Sequence, residues 1–308
     1  MRRQRLFMTW RSVLRIMLLL VCLGPAVSCK TSEDAHALAT QMATTATHLS
    51  AYYNALAQII ENQARLERLQ KATLGVPVDA QDLAQLQNVE YEIDKRAVAA
   101  HSLAELAEAF NELNTSKAPA DVSTAATNLG TELSKIQQLP NASAAPGVLE
   151  NAGKTLTQYA QERDERNMAK SMDPTIAALS QMFSQERPAY DSINRTYIGL
   201  AQSLALDLVN HNQVDPGSLM QPALEPFGLS SRTPSAQVPS GLQDYAREEI
   251  KTRGQAEITA HEKASETMDH GLIELSKRVH QLSTEGKMPE RGTPFTLSDV
   301  ESWIKQIL

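Results

Sequence analysis

The stretch that decides the fold is Ser32–Thr73, SEDAHALATQMATTATHLSAYYNALAQIIENQARLERLQKAT. Leu38, Met42, Thr45, Leu49, Tyr52, Leu56, Ile59, Gln63 and Leu66 recur in alternating steps of four and three, and seven of these nine are apolar. That spacing keeps one side of a 3.6-residue helix apolar and predicts a coiled-coil-like seam. A helix of this length is roughly 60 Å long at 1.5 Å per residue. Gly75-Val76-Pro77 ends it, because glycine accepts the left-handed cap and proline supplies no N–H.

Reading on towards the C-terminus, the pattern repeats. A second helix is expected over Ala80–Leu113, with Asp79 as N-cap and Asp82 where a capping-box acid belongs. Its stripe is Leu83, Leu86, Ile93, Ala97 and Ala100, then Leu103, Leu106, Phe110 and Leu113 after a small shift. The short connection makes the first two helices antiparallel neighbours. After a turn at Asn114–Pro119, a third helix over Asp121–Gln138 points Val122, Ala125, Leu129, Leu133 and Ile136 inward. Leu139–Gly147 is a break. A fourth helix runs from Val148 to about Ser171, and Asp173-Pro174 reads as an N-cap followed by proline at the first helical position. The fifth helix, Pro174–Asn210, has a kink expected at Pro188, and its later part, Ile193–Val209, is expected at the centre of the core.

Residues 213–241 are the one long irregular segment, with prolines at 216, 222, 226, 234 and 239. A sixth helix, Leu242–Thr284, follows, then a linker over Gly286–Thr296. The last helix, 297–308, has Ser298 and Glu301 at capping-box spacing and an apolar face of Val300, Trp303, Ile304 and Ile307 expected to dock on the bundle. Aromatics are only 5% of the 308 residues, so a sheet lacks its usual material. The fold class expected is all-α, an elongated antiparallel helical bundle with coiled-coil-like seams, occupying residues 29–308.

The N-terminus reads differently. Met1–Arg15 is basic, Ile16–Leu23 is an unbroken apolar run, and Gly24-Pro25-Ala26-Val27-Ser28-Cys29 follows. This is the layout of an export signal over residues 1–28; the apolar run is shorter than the ~20 residues a membrane span needs. Ala26-Val27-Ser28-Cys29 resembles the lipobox of bacterial lipoproteins, with Ala standing where the family prefers Leu. The resemblance implies cleavage before Cys29 and acylation of its thiol, since only a thiol forms the thioether. Acyl chains anchor a protein at about 0.8 kcal/mol per buried CH₂. Lys30 follows the cysteine, where Asp is the usual inner-membrane retention signal, so the outer membrane of the bacterial cell envelope is favoured. Cys22 lies in the discarded run, so the mature chain keeps one cysteine, occupied by lipid, and no internal disulfide.

Charge narrows the partners. Removing residues 1–28, which hold five arginines and no acid, leaves 24 basic and 36 acidic groups, a net −12. Such a domain is a poor match for nucleic acid.

The motifs of common chemistries are incomplete. Glu33-x-x-His36 is the only Glu-x-x-His spacing, whereas a di-iron bundle needs two, and His261-Glu262 is followed by Ser265 where a zinc-protease motif needs a second His. Glu257/His261 and Glu266/His270 are i,i+4 pairs read as solvated side-chain pairing, and His270 and His280 continue along the same helix. His101, Glu105 and Glu108 share a helical face and read the same way. No nucleophile elbow or phosphate-binding glycine loop is present. Tyr52, Tyr53, Tyr190 and Tyr197 either line a groove or fill the seam. No catalytic, metal or cofactor residues are expected; the single site is Cys29, for lipid. The expected role is a non-catalytic, lipid-anchored scaffold or adaptor contacting another envelope protein. A small-ligand sensing module and a membrane-active helical protein are the alternatives.

Overall fold

The computed structural model describes residues 4–112, 118–137, 139, 165–211, 240–285 and 296–308, with side chains from residue 36 onward except at 118–119 and 165–168. The described residues form six helices and no strands: α1 (Gln4–Leu74), α2 (Ala80–Asn111), α3 (Ala118–Lys135), α4 (Glu165–Asn210), α5 (Ser240–Glu285) and α6 (Ser298–Ile307). The all-α bundle is therefore established. The expected fourth helix up to residue 164 and the proline-rich segment up to residue 239 lie outside the described residues, as does the linker from 286 to 295.

The seam of α1 packs as its spacing requires. Eight of the nine seam residues, from Leu38 to Gln63, are buried, and Leu66 is half-buried. The helix starts earlier than Ser32, running unbroken from Gln4 through Cys29. At its other end Gly75 adopts φ 66°; its N–H donates to Ala72 O and that of Val76 to Lys71 O, the paired bonds of a left-handed helix cap. Asp79 caps α2, its carboxylate accepting from Gln81 N at 2.8 Å. Asp82 does not close a capping box: it bonds Lys71 across the hairpin at 3.2 Å.

Cross-helix bonds fix the directions. Ser50 Oγ donates to Ala97 O, so α1 and α2 are antiparallel, as the short connection demands. Along α4 and α5, Asp173 meets His280, Asp191 meets Ser265, and Gln202 meets Ile250 O, one number rising as the other falls. α5 is antiparallel to α1 as well, through Gln41–Arg278 and Tyr52–His261. α3 lies on α2 with Val122, Ala125, Leu129, Leu133 and Ile136 all buried, as read. α6 docks across α1 and α5 through Val300 and Trp303, with Ile304 and Ile307 partly buried.

Three further expectations about the helices fail. Asp173-Pro174 does not begin a helix: α4 runs through both Pro174 and Pro188. An interior proline removes one backbone bond and costs about 3 kcal/mol. Met172, Thr175, Ile176 and Leu179 are buried around Pro174, and Asp173 accepts instead from Ser283 Oγ on α5, so packing of the amphipathic face outweighs the lost bond. Second, Ser298 and Glu301 form no capping box. Ser298 lies inside α6 behind Leu297, which makes no side-chain cap bond, and Glu301 is taken by His48 at 2.9 Å. Third, Ile193–Val209 is not the centre of the core. Ile193, Tyr197, Ile198 and Leu200 are half-buried, whereas the deepest part of α4 is Met172–Tyr190.

The core has two continuous layers. One holds Leu38–Ala46 of α1 with α3 and the facing stretches of α2, α4 and α5. The other holds Leu49–Ile60 with Phe183, Tyr190, Met268 and Trp303.

Candidate functional site

The most unusual chemistry sits in the second layer, where the seam admits tyrosines and charges. Tyr52 and Tyr53 of α1, Phe183 and Tyr190 of α4, His261 of α5 and Trp303 of α6 form one aromatic knot. Tyr52 is its hub: its ring centre lies 5.1 Å from Trp303, 5.5 Å from Phe183 and 5.9 Å from the His261 ring, which stacks on it. Trp303 meets His261 edge-on at 4.8 Å. Tilted and edge-on rings are the arrangements aromatic quadrupoles favour. The tyrosine quartet of the sequence reading thus resolves into seam rather than groove: Tyr52, Tyr53 and Tyr190 are core, and Tyr197 packs half-buried beside them.

Two polar networks thread this knot. In the first, Arg96 of α2 makes a two-pronged pair with Glu186 of α4, Nε to Oε2 at 2.8 Å and Nη2 to Oε1 at 2.6 Å. Both side chains are essentially without solvent exposure, 0% and 1%. The other Arg96 donors reach Glu92 O and Gln137 O. Tyr190 donates to Glu186 Oε2, and Tyr53 OH lies 3.4 Å from Tyr190 OH. A planar guanidinium suits this role because its fork matches a carboxylate and its remaining N–H groups find carbonyls. Burial works against the Arg96 charge, yet the hydrogen bond and attraction of Glu186 hold its pKa above the ordinary arginine value.

The second network is Tyr52–His261–Asp191–Ser265. Tyr52 OH is 3.2 Å from His261 Nε2, and Ser265 Oγ donates to Asp191 Oδ1 at 2.8 Å. Asp191 Oδ1 also lies 3.3 Å from His261 Nδ1, at ion-pair distance but out of line for a hydrogen bond. The order of groups is that of a base relay, but the electrostatics oppose activation. Burial first, then the charge of Asp191, push the Tyr52 phenol well above its usual range. Burial does the same to Tyr53, helped by Glu186, and to Tyr190, helped by Tyr53. A phenol held neutral inside a closed core is a hydrogen-bonding and packing group rather than a nucleophile.

Most other flagged residues lie apart from this centre. Cys29 is within α1, seven residues before the first described side chain. His36 is exposed. His101 and Glu105 form the exposed i,i+4 contact expected, at 3.5 Å. Glu266 and His270 are exposed, and His280 bonds Asp173 of α4 at 2.9 Å. His261 is the correction: it is not a solvated partner of Glu257 but fully buried among Tyr52, Trp303 and Asp191. Ser265 is likewise buried and engaged with Asp191. Among the described residues, no group of three or more His, Cys, Asp or Glu is placed to hold a metal ion. No described helix is long and apolar enough to cross a membrane.

The Arg96–Glu186 pair escaped the sequence reading, though a signal was present. Arg96 falls in the stripe between Ile93 and Ala100, and Glu186 lies three residues after Phe183 and four before Tyr190. Charges at core-facing positions of two helices are candidates for pairing with each other. No family model, curated protein or solved structure matches the chain.

Proposed function

We propose that this chain is a non-catalytic, lipid-anchored protein of the bacterial cell envelope, whose bundle serves as a rigid scaffold or adaptor for another envelope protein. One observation carries the reading: the candidate anchor and the bundle share a single helix. α1 passes through Cys29 and enters the core at Leu38, nine residues later, without a break. Nine residues of helix span roughly 14 Å. A lipid at Cys29 would therefore hold the bundle end close to the bilayer, with no flexible tether between them. The closed, side-chain-filled aromatic centre supports a mechanical role over a sensing one, and the acidic surface keeps the body off anionic headgroups.

The test is metabolic labelling with a fatty-acid analogue, followed by membrane fractionation, for wild type and Cys29→Ser. Label and outer-membrane recovery with wild type, and the loss of both with the variant, are expected. Unlabelled wild-type protein recovered in the soluble fraction would overturn the anchor. Crosslinking in intact cells then asks which envelope protein the anchored form holds.

A further inference from the structure

Two acids in the first turn of α6 tie it to the bundle, beside the buried anchors Val300 and Trp303. Asp299 is held by α5: Lys263 Nζ lies 3.0 Å from its Oδ1, and Thr267 Oγ1 donates to its Oδ2 at 3.3 Å. Glu301 is held by α1, its Oε1 lying 2.9 Å from His48 Nε2. Among the described residues this is the ion pair that joins α6 to α1.

The His48 ring meets an acceptor on each side. Its Nδ1 lies 2.8 Å from Thr44 O, the carbonyl one turn back in α1. A carbonyl only accepts, so Nδ1 carries a proton. In a neutral imidazole the other nitrogen is then a bare acceptor. Nε2 nevertheless faces Glu301, and an ionised carboxylate also only accepts. Two such lone pairs at 2.9 Å repel. A proton placed on the carboxyl instead would pass to the imidazole, which is the stronger base. Both contacts are satisfied only by the imidazolium, which donates from both nitrogens; the neutral ring keeps one and loses the other.

The neighbouring charges do not replace Glu301. On α6, Asp299 is taken by α5, and Lys305 lies one turn beyond Glu301. On α5, the titratable group beneath α6 is His261, edge-on to Trp303 and beside Asp191 of α4. α2 packs on a different side of α1: Ser50, which donates to Ala97 O, lies about 200° round the helix from His48.

We propose that His48 and Glu301 form a proton-operated clasp that sets how firmly α6 is docked. Docking takes up a proton wherever the undocked ring has lost one, so α6 is held more tightly in acid and less tightly in alkali. Histidine side chains free of such contacts lose their proton around pH ~6.5. The clasp is at full strength below that pH and weakens above it. Loosening α6 uncovers Tyr52 and His261, over which Trp303 lies. This inference is independent of the anchor at Cys29.

Hydrogen exchange of the full chain in mild detergent tests it, read by mass spectrometry on peptides covering residues 298–308. Rates at pH of about 5.5 and about 8.5 are corrected for the intrinsic pH dependence of exchange, and the ratio of the two opening constants is compared among three proteins. In wild type, α6 opens about threefold or more often at the higher pH, the scale of a partly exposed ion pair. Glu301→Gln removes the dependence, because its amide N–H donates to the neutral Nε2 and its carbonyl accepts from the imidazolium. His48→Gln removes it as well, since neither side chain of the contact then titrates in this range. Reading a ratio cancels any overall weakening of α6 in a variant. A wild-type ratio near one overturns the proposal. So does a ratio retained in either variant, which would place the sensitivity on another group such as His261.

Discussion

Replacing Arg96 with Met removes the cation from the buried pair while keeping most of the stem's volume. Glu186 is then left with Tyr190 as its donor, in a site with 0% relative exposure. Two unit charges about 4 Å apart attract by about 4 kcal/mol at an effective dielectric near 20. Stranding one member of a buried pair costs about 3–5 kcal/mol in all. Against a typical total stability of roughly 5–15 kcal/mol, that is a large share. Glu186→Met leaves Arg96 with the Glu92 carboxylate at 3.7 Å and its bonds to Glu92 O and Gln137 O, so it is expected to cost less than Arg96→Met. The double variant strands neither charge. It leaves Tyr190 OH with only Tyr53 OH at 3.4 Å, so its cost is expected near 1–2 kcal/mol. Urea unfolding followed by circular dichroism measures all four proteins, and the cycle yields a coupling free energy of at least about 2 kcal/mol. Additive single costs, or a loss below about 1 kcal/mol for Arg96→Met, would refute the assignment of this pair as the polar centre of the core.

Trp303→Ala empties the cap over Tyr52 and His261 and is expected to cost about 3–5 kcal/mol, read as a lower urea midpoint; a cost under 1 kcal/mol would mean that α6 contributes little to the core. The buried phenols make the fold sensitive to alkali. Tyr52, Tyr53 and Tyr190 have folded pKa values raised above the unfolded value near 10, so their contribution is complete below that pH and is lost as pH rises through and beyond it. Phenolate absorbance of these three is expected to appear together with loss of helicity, and phenolate appearing while helicity is retained would refute their burial. Gly254 sits where α4 crosses α5, and a Cβ there would lie 1.9 Å from Gln202 Nε2. That amide bonds Ile250 O and Lys251 O, so Gly254→Ala gains about 1 kcal/mol of helix propensity and loses about as much in hydrogen bonding, leaving the melting temperature nearly unchanged. Gly254→Leu, too large for Gln202 to accommodate by turning aside, is expected to lower it by several degrees.

Much of the architecture is legible in local pattern. The seam of α1, the glycine cap at Gly75, the Asp79 N-cap and the inward faces of α3 and α6 each depend on residues within a turn or two of one another. Periodicity and cap chemistry report such relations directly. The errors share the opposite character. Asp173-Pro174 has the local form of a helix start, but Asp173 is claimed by Ser283 and His280, more than a hundred positions away. Ser298 and Glu301 have the form of a capping box, but Glu301 belongs to His48. His261 stands among charged and polar neighbours in sequence, and the rings that bury it come from α1 and α6.

The sequence by itself therefore determined that the chain is helical, where most helices begin and end, and which stripe of each faces inward. Tertiary structure decided which charges go inside and what they meet. An arginine at a seam position is costly in any single helix. It becomes tolerable only when a carboxylate ninety residues away is brought to 2.6 Å and the remaining N–H groups find carbonyls. Helical periodicity encodes which way a side chain points, whereas the free energy of burying a charge depends on the partner that waits there, and that partner is fixed only by how the helices pack.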